Sequence, residues 1–165
     1  MVVALLSPCS IGMAFANETT AGGKTVPVEL TVPAVSDSGI EFTISEKITM
    51  TAAANSTTLT VSDLVVENLK EVGVLDLTSV KVTAREGWTI KDNTADYFKT
   101  VKADTKEFGL SCGTHDFATA AELAFTDKQI NPQGQQTVSF TGNIGTFTVA
   151  ATTMVADVVA TIAVY

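Results

Sequence analysis

The chain has 165 residues but only two cysteines, one histidine and one tryptophan. Each scarcity excludes something. Cys9 and Cys112 cannot build the disulfide framework that staples many small secreted domains. Cys112 and His115 fall short of the three or four ligands that a zinc centre needs. Ten basic against 18 acidic residues leave a formal net charge of −8 and a sequence pI near 4.5. With no basic run, that balance argues against nucleic acid and anionic membrane surfaces as partners. No uninterrupted apolar run reaches the length of about 20 residues that a spanning helix requires. G-x-S-x-G, a phosphate-cradling glycine loop and H-E-x-x-H are all missing, so neither enzymatic activity nor a cofactor is expected.

What the chain does have begins with a start lacking charge. Residues 2–16 contain no Asp, Glu, Lys or Arg and end in Ala14-Phe15-Ala16, after which polar residues follow at once. The small-x-small ending is the pattern a signal peptidase reads, although no basic residue precedes the run. The expected division is a signal peptide over 1–16 without its basic start, a flexible leader over 17–24 and one β-sandwich over 25–165. Cleavage after Ala16 leaves Cys112 as the single cysteine. An exported protein without disulfides fits a Gram-positive bacterium, and a secreted or cell-surface location with no membrane insertion after processing.

The remainder reads as strand. In "TVPVELTV", Val26, Val28, Leu30 and Val32 share one face, while Thr25, Glu29 and Thr31 share the other. "GIEFTI", "KITMTA", "TTLTVSDLVV", "VLDLTSVKVTA", "GWTIKD", "KEFGLSC", "AELAFT", "QQTVSFTG", "GTFTVA" and "DVVATIAVY" follow with period-2 alternation or apolar runs. Turn signals stand at Asp37-Ser38-Gly39, Glu86-Gly87, Asn131-Pro132-Gln133-Gly134 and Gly142-Asn143. "FATAAELAF" is the one stretch that could be a short helix. The pattern predicts an all-β fold: a single antiparallel β-sandwich, Ig-like or jelly-roll-like, of about eight to ten strands. "VVATIAVY" is apolar on both faces, which suits a central strand; as an edge it would invite a partner chain.

Few residues could carry chemistry. "LSCGTHDF" places Cys112 three residues before His115, with Asp116 beside it. A nucleophilic thiol would need His115 folded back over it and Asp116 orienting the ring. The same letters also read as a strand end followed by a hairpin tip at residues 113–116, and that reading is preferred. "KDNTADY" gathers Asp92, Asn93 and Asp96 in a loop that could offer oxygens to calcium, without EF-hand spacing, so no metal is expected. Trp88 and Tyr165 are the aromatic candidates for binding. Trp88 is also the natural core anchor, since it shares a face with Ile90 in "GWTIKD".

The segment Ala84-Arg85-Glu86-Gly87-Trp88-Thr89-Ile90 resembles the first Trp-x-Leu segment of WxL-type cell-surface domains of Gram-positive bacteria. Ile90 stands where that pattern has leucine, and no second tryptophan occurs in "VVATIAVY". The general layout is also similar to secreted sandwich proteins of gut Firmicutes. The resemblance implies a surface-exposed, non-enzymatic module held non-covalently on wall peptidoglycan.

Together these observations predict a binding or adhesion module whose partner is a cell-wall polymer, a host protein or another surface subunit. A structural subunit that polymerises by strand addition through the leader or the last strand is the alternative. A small hydrolase built on Cys112 and His115 ranks last. Secreted material should begin at Asn17. Amino-terminal sequencing that finds Met1 retained, or a lipid on Cys9, would overturn the export reading.

Overall fold

The computed structural model describes residues 24–30, 41–53, 55–148 and 153–165. The expected signal peptide, Val32 and the turn at Asp37-Ser38-Gly39 lie outside the described residues, as does the leader except for Lys24, which opens the first strand. Among the described residues fourteen strands and one helix follow in order: β1 (Lys24–Leu30), β2 (Phe42–Ile44), β3 (Lys47–Ala52), β4 (Thr58–Val61), β5 (Leu64–Asn68), β6 (Leu75–Ala84), β7 (Thr89–Ile90), α1 (Ala95–Thr100), β8 (Glu107–Cys112), β9 (His115–Asp116), β10 (Glu122–Ala124), β11 (Gln129–Ile130), β12 (Gln135–Val138), β13 (Thr141–Ile144) and β14 (Ala156–Val164). Among the described residues no helix is long and apolar enough to cross a membrane.

The protein is an all-β sandwich, as its alternation predicts. The larger sheet runs β10-β6-β14-β1-β3-β4-β13-β8-β7, with β11 added to β6 and β9 to β8; the smaller runs β12-β5-β2. One apolar core draws on both: Ile48 and Met50 of β3, Leu77 and Val80 of β6, Phe108 and Leu110 of β8 and Val158 of β14 meet Leu64 and Val66 of β5. Each such side chain removed from water contributes roughly 1.5–3 kcal/mol, so the period-2 rows decide which face of each strand turns inward.

The strand count exceeds the expected eight to ten because several pairings span only two or three residues. Two neighbours are parallel rather than antiparallel: β1 with β14, and β7 with β8. "TTLTVSDLVV" breaks at Ser62-Asp63 into β4 and β5, which belong to different sheets. Ser62 eases that passage, since its amide donates to the Thr49 carbonyl at 2.9 Å and its Oγ accepts from the Thr49 amide at 2.9 Å. The last strand is internal, lying between β6 and β1. Its apolar faces are thereby explained, and it is not the free edge that strand addition through it would need.

Two local expectations and one alternative fail for definable reasons, while the strand expected in "AELAFT" forms as β10. "FATAAELAF" makes only one turn, in which the amides of Thr119 and Ala120 donate to the Asp116 carbonyl, before β10 pairs with β6. "GTFTVA" adds no strand over its described residues 145–148. Gly142-Asn143 is part of β13 rather than a turn. The helix falls instead at "ADYFKT", whose six residues are too few to reveal a 3.6-residue period. A single buried side chain, Phe98, pins it to the core region. The turns at Glu86-Gly87 and Asn131–Gly134 form as expected, with Gly87 and Gln133 at positive φ.

Gly109, in the middle of β8, determines where the helix sits. A Cβ there would lie 2.7 Å from Asn93 Cα and 2.9 Å from Phe98 Cε2. Only glycine lets the 91–94 loop and α1 lie directly on the sheet. Gly109→Ala should therefore destabilise the fold by about 1–3 kcal/mol through overpacking and lower the melting temperature by about 2–10 °C. At Gly113 an added methyl would meet open space, so Gly113→Ala should cost stability only through backbone strain at its positive φ. Thermal melts of the two variants compare these costs directly, and a Gly109→Ala protein melting with wild type would refute the account.

Candidate functional site

The pair that the sequence brings forward, Cys112 and His115, closes the β8–β9 hairpin. They are register partners across a two-residue turn whose first residue, Gly113, has φ +57 as a type II′ turn requires. The tip is thus Gly113-Thr114, while His115 and Asp116 form the short returning strand rather than part of the tip. His115 does not serve the thiol. Its Nε2 lies 2.9 Å from the Ala120 carbonyl and so donates to it, and its ring meets Phe117 edge-on with centroids 4.8 Å apart. Asp116 is no orienter of that ring: Oδ2 accepts from the Asn93 amide at 2.7 Å and Oδ1 from the Ala118 amide at 2.9 Å. Burial pushes the Cys112 thiol up, outweighing the opposing charge of Lys128. A thiol raised in this way stays protonated at neutral pH, the reverse of an activated nucleophile.

The loop proposed for calcium separates its members. Asn93 turns into the sheet: its Nδ2 donates to Ser111 Oγ at 3.0 Å and to the Thr141 carbonyl at 3.1 Å, while its Oδ1 accepts from Asn143 Nδ2 at 2.7 Å. That carboxamide is a structural tie. Asp96 points to solvent with its side chain 94% exposed and pairs with Lys99 at 2.9 Å. Among the described residues no three His, Cys, Asp or Glu side chains gather as a metal group.

Trp88 and Tyr165 do not form one site. The β6–β14 ladder runs from Ala84↔Ala156 to Leu75↔Val164, and the two aromatics flank its opposite ends, roughly 30 Å apart at the usual rise per strand residue. Trp88 follows the 85–88 turn, where its amide donates to the Arg85 carbonyl at 2.9 Å. It is half-buried against the core, with Phe108 edge-on at 6.2 Å and Phe147 tilted at 6.1 Å. Thr89 is exposed and Ile90 packs with the core, so the predicted alternation of "GWTI" holds. Arg85 is itself fixed by Asp157, whose Oδ1 accepts from Nε at 2.9 Å and from Nη2 at 2.8 Å. At the far end Tyr165 continues the ladder through its amide, which donates to the Val74 carbonyl at 3.0 Å, and its side chain is largely exposed.

A more coherent site is formed by residues that share no motif in the chain. Ile90, Lys91, Asp92, Thr94, Tyr97 and Ala118 line an open cleft of about 260 Å³. One wall is β7 with the loop after it, another is the exposed side of α1, and the third follows β9. Tyr97 is the aromatic surface. Its hydroxyl donates to Glu107 Oε2 at 2.6 Å, and its ring is braced edge-on by Phe98 with centroids 5.0 Å apart. The Glu107 hydrogen bond, with burial and the carboxylate's charge adding to it, raises the phenol above its ordinary value, so it is neutral at physiological pH. Lys91 Nζ lies 3.7 Å from the other oxygen of Glu107. Asp116 sets the distance between the rims, because its two oxygens hold the amides of Asn93 and Ala118.

Tyr97 was present in "KDNTADY", the same stretch that suggested calcium. An aromatic among acidic residues was the available signal. Glu107 and Ala118 had none, since each reaches the cleft only through strand pairing and a turn.

The fold and this cleft define the class: an all-β sandwich with a small, mixed-polarity cleft at the edge of its large sheet. Comparison of the chain with family models, with curated proteins and with solved structures finds no match.

The hairpin geometry predicts the behaviour of Cys112. Alkylation by iodoacetamide at pH 7 should be slower than that of a free cysteine peptide and should climb as pH rises toward the raised thiol pKa. His115→Ala should leave that rate unchanged. A marked fall in the histidine variant would mean that the imidazole activates the thiol after all.

Proposed function

We propose that this chain is a secreted or cell-surface, non-enzymatic binding or adhesion module of a Gram-positive bacterium, in a wall-associated or freely secreted form. Its partner is a cell-wall polymer, a host protein or another surface subunit. The observation that carries this reading is Tyr97, an exposed aromatic whose hydroxyl and ring edge are both held in place beside exposed Asp92 and Thr94. Exposed aromatics with a polar tip supply contact area at small entropic cost, which suits recognition. The engagement of His115 and Asp116 by backbone groups supports the non-enzymatic part. The uncharged start ending in Ala14-Phe15-Ala16 supports export. The likeness of Ala84–Ile90 to a WxL segment supports a surface location.

The test uses labelled full-length protein on purified cell walls, on coats of host extracellular-matrix protein and on whole cells of the producing bacterium. Saturable retention on at least one of these is expected, reduced at least about tenfold by Tyr97→Ala and unaffected by Cys112→Ser. Absence of retention on all three, or its loss on Cys112→Ser in a protein that still melts normally, would overturn the reading.

A further inference from the structure

The Tyr97 cleft, taken as the recognition site of that binding module, also constrains what it can recognise. Its volume of about 260 Å³ is open to solvent and lies below the usual range for drug-sized sites, about 300–1,000 Å³. It suits a small rigid unit of a longer chain. The ring of Tyr97 is neutral and fixed, and Ile90 and Ala118 extend the apolar surface beside it. Lys91 offers donors, exposed Asp92 offers acceptors, and the Thr94 hydroxyl offers both. An apolar face bordered by mixed donors and acceptors matches a pyranose ring, which has one C–H face and a rim of hydroxyls.

Charge narrows the choice. Around the cleft stand one cation, Lys91, and three carboxylates, Asp92, Glu107 and the amide-bonded Asp116, with Lys91 held toward Glu107. A uronate or phosphate would meet a net negative surface on a protein of net charge −8. A basic peptide would find one Glu107 oxygen already bonded to Tyr97 and the other facing Lys91. Asp92 alone would remain for it. A neutral ligand incurs neither cost.

The cleft is also preorganised. Asn93 is tied to Ser111, Thr141 and Asn143, and Asp116 joins its amide to that of Ala118. Both rims are therefore set before any ligand arrives, and binding need not order a loop. We propose that the cleft formed by Tyr97, Lys91, Asp92 and Thr94 binds a neutral glycan chain, one sugar ring stacking on Tyr97 and its hydroxyls bonding to Lys91 and Asp92.

The proposal rests on the binding-module reading, and the experiment separates the two. The full chain is titrated with short neutral gluco-, galacto-, manno- and N-acetylglucosamine oligosaccharides, with oligogalacturonate and with oligolysine, by calorimetry and by NMR shifts of the Tyr97 ring. Saturable binding of at least one neutral oligosaccharide is expected, with the Tyr97 resonances moving. Tyr97→Ala should weaken it at least about tenfold, and Tyr97→Phe, which keeps the ring, should stay within about threefold. Asp92→Asn, an exposed change that spares the fold, should weaken it as well and serves if Tyr97→Ala melts early. Failure of every neutral oligosaccharide to bind, binding indifferent to both variants, or preferential binding of oligogalacturonate or oligolysine at Tyr97 overturns the glycan assignment. The last of these outcomes, or retention on protein coats lost on Tyr97→Ala, would leave the binding-module reading standing with another ligand class.

Discussion

The carboxamide of Asn93 lying over Gly109 is the contact on which the cleft end of this molecule depends. Three hydrogen bonds join that one side chain to Ser111 on β8 and to Thr141 and Asn143 on β13. They tie a half-buried side chain to the sheet surface, each bond contributing roughly 0.5–1.5 kcal/mol. They also fix the loop from which Lys91, Asp92 and Thr94 reach the cleft, and they bring α1 down so that Phe98 is buried. The close approach is possible because Gly109 has no side chain. A short helix with one buried residue and no side-chain cap would be marginal alone; here the sheet beneath it supplies its order.

Asp116 links this arrangement to the hairpin. Beside a lone histidine, a carboxylate invites a catalytic interpretation, yet both of its oxygens accept from backbone amides on opposite sides of the cleft. His115 is likewise spent on the Ala120 carbonyl and on Phe117. Three residues that look like chemistry in the linear chain prove to be the fittings of a turn. Beside them lies a tethered tyrosine with polar neighbours.

The two ends of the β6–β14 ladder show why aromatic residues with similar promise in the sequence have different roles. Trp88 is drawn against Phe108 and Phe147 because the Arg85–Trp88 turn folds it back toward the core. Tyr165 lies past the last ladder pair and remains exposed. Near it are the exposed Val164 of β14 and the 72–74 segment, with Val72 among the most exposed apolar residues and Val74 paired to the Tyr165 backbone. Burial here follows position along a ladder, which residue type alone does not reveal.

Local alternation was enough to specify the class of fold. "KITMTA" buries Ile48, Met50 and Ala52 in turn, and "VLDLTSVKVTA" gives the long β6, because a half-buried strand must repeat every two residues whatever its neighbours are. Turn chemistry was similarly legible at Gly87 and at Asn131–Gly134, where positive φ or a proline leaves few alternatives. Sheet membership was not. Nothing in "TTLTVSDLVV" says that it passes between two sheets, and nothing in "ADYFKT" distinguishes a helix from a loop. The cleft belongs to the same category: Tyr97 and Glu107 are ten residues apart and meet within 2.6 Å, while Asn93 and Asn143 meet across fifty. The sequence by itself determined which residues face inward along each strand, since that depends only on the period of the chain. Only the tertiary structure decided which polar side chains became ties and which stayed exposed, because that depends on partners distant in sequence and on the space that one glycine leaves open.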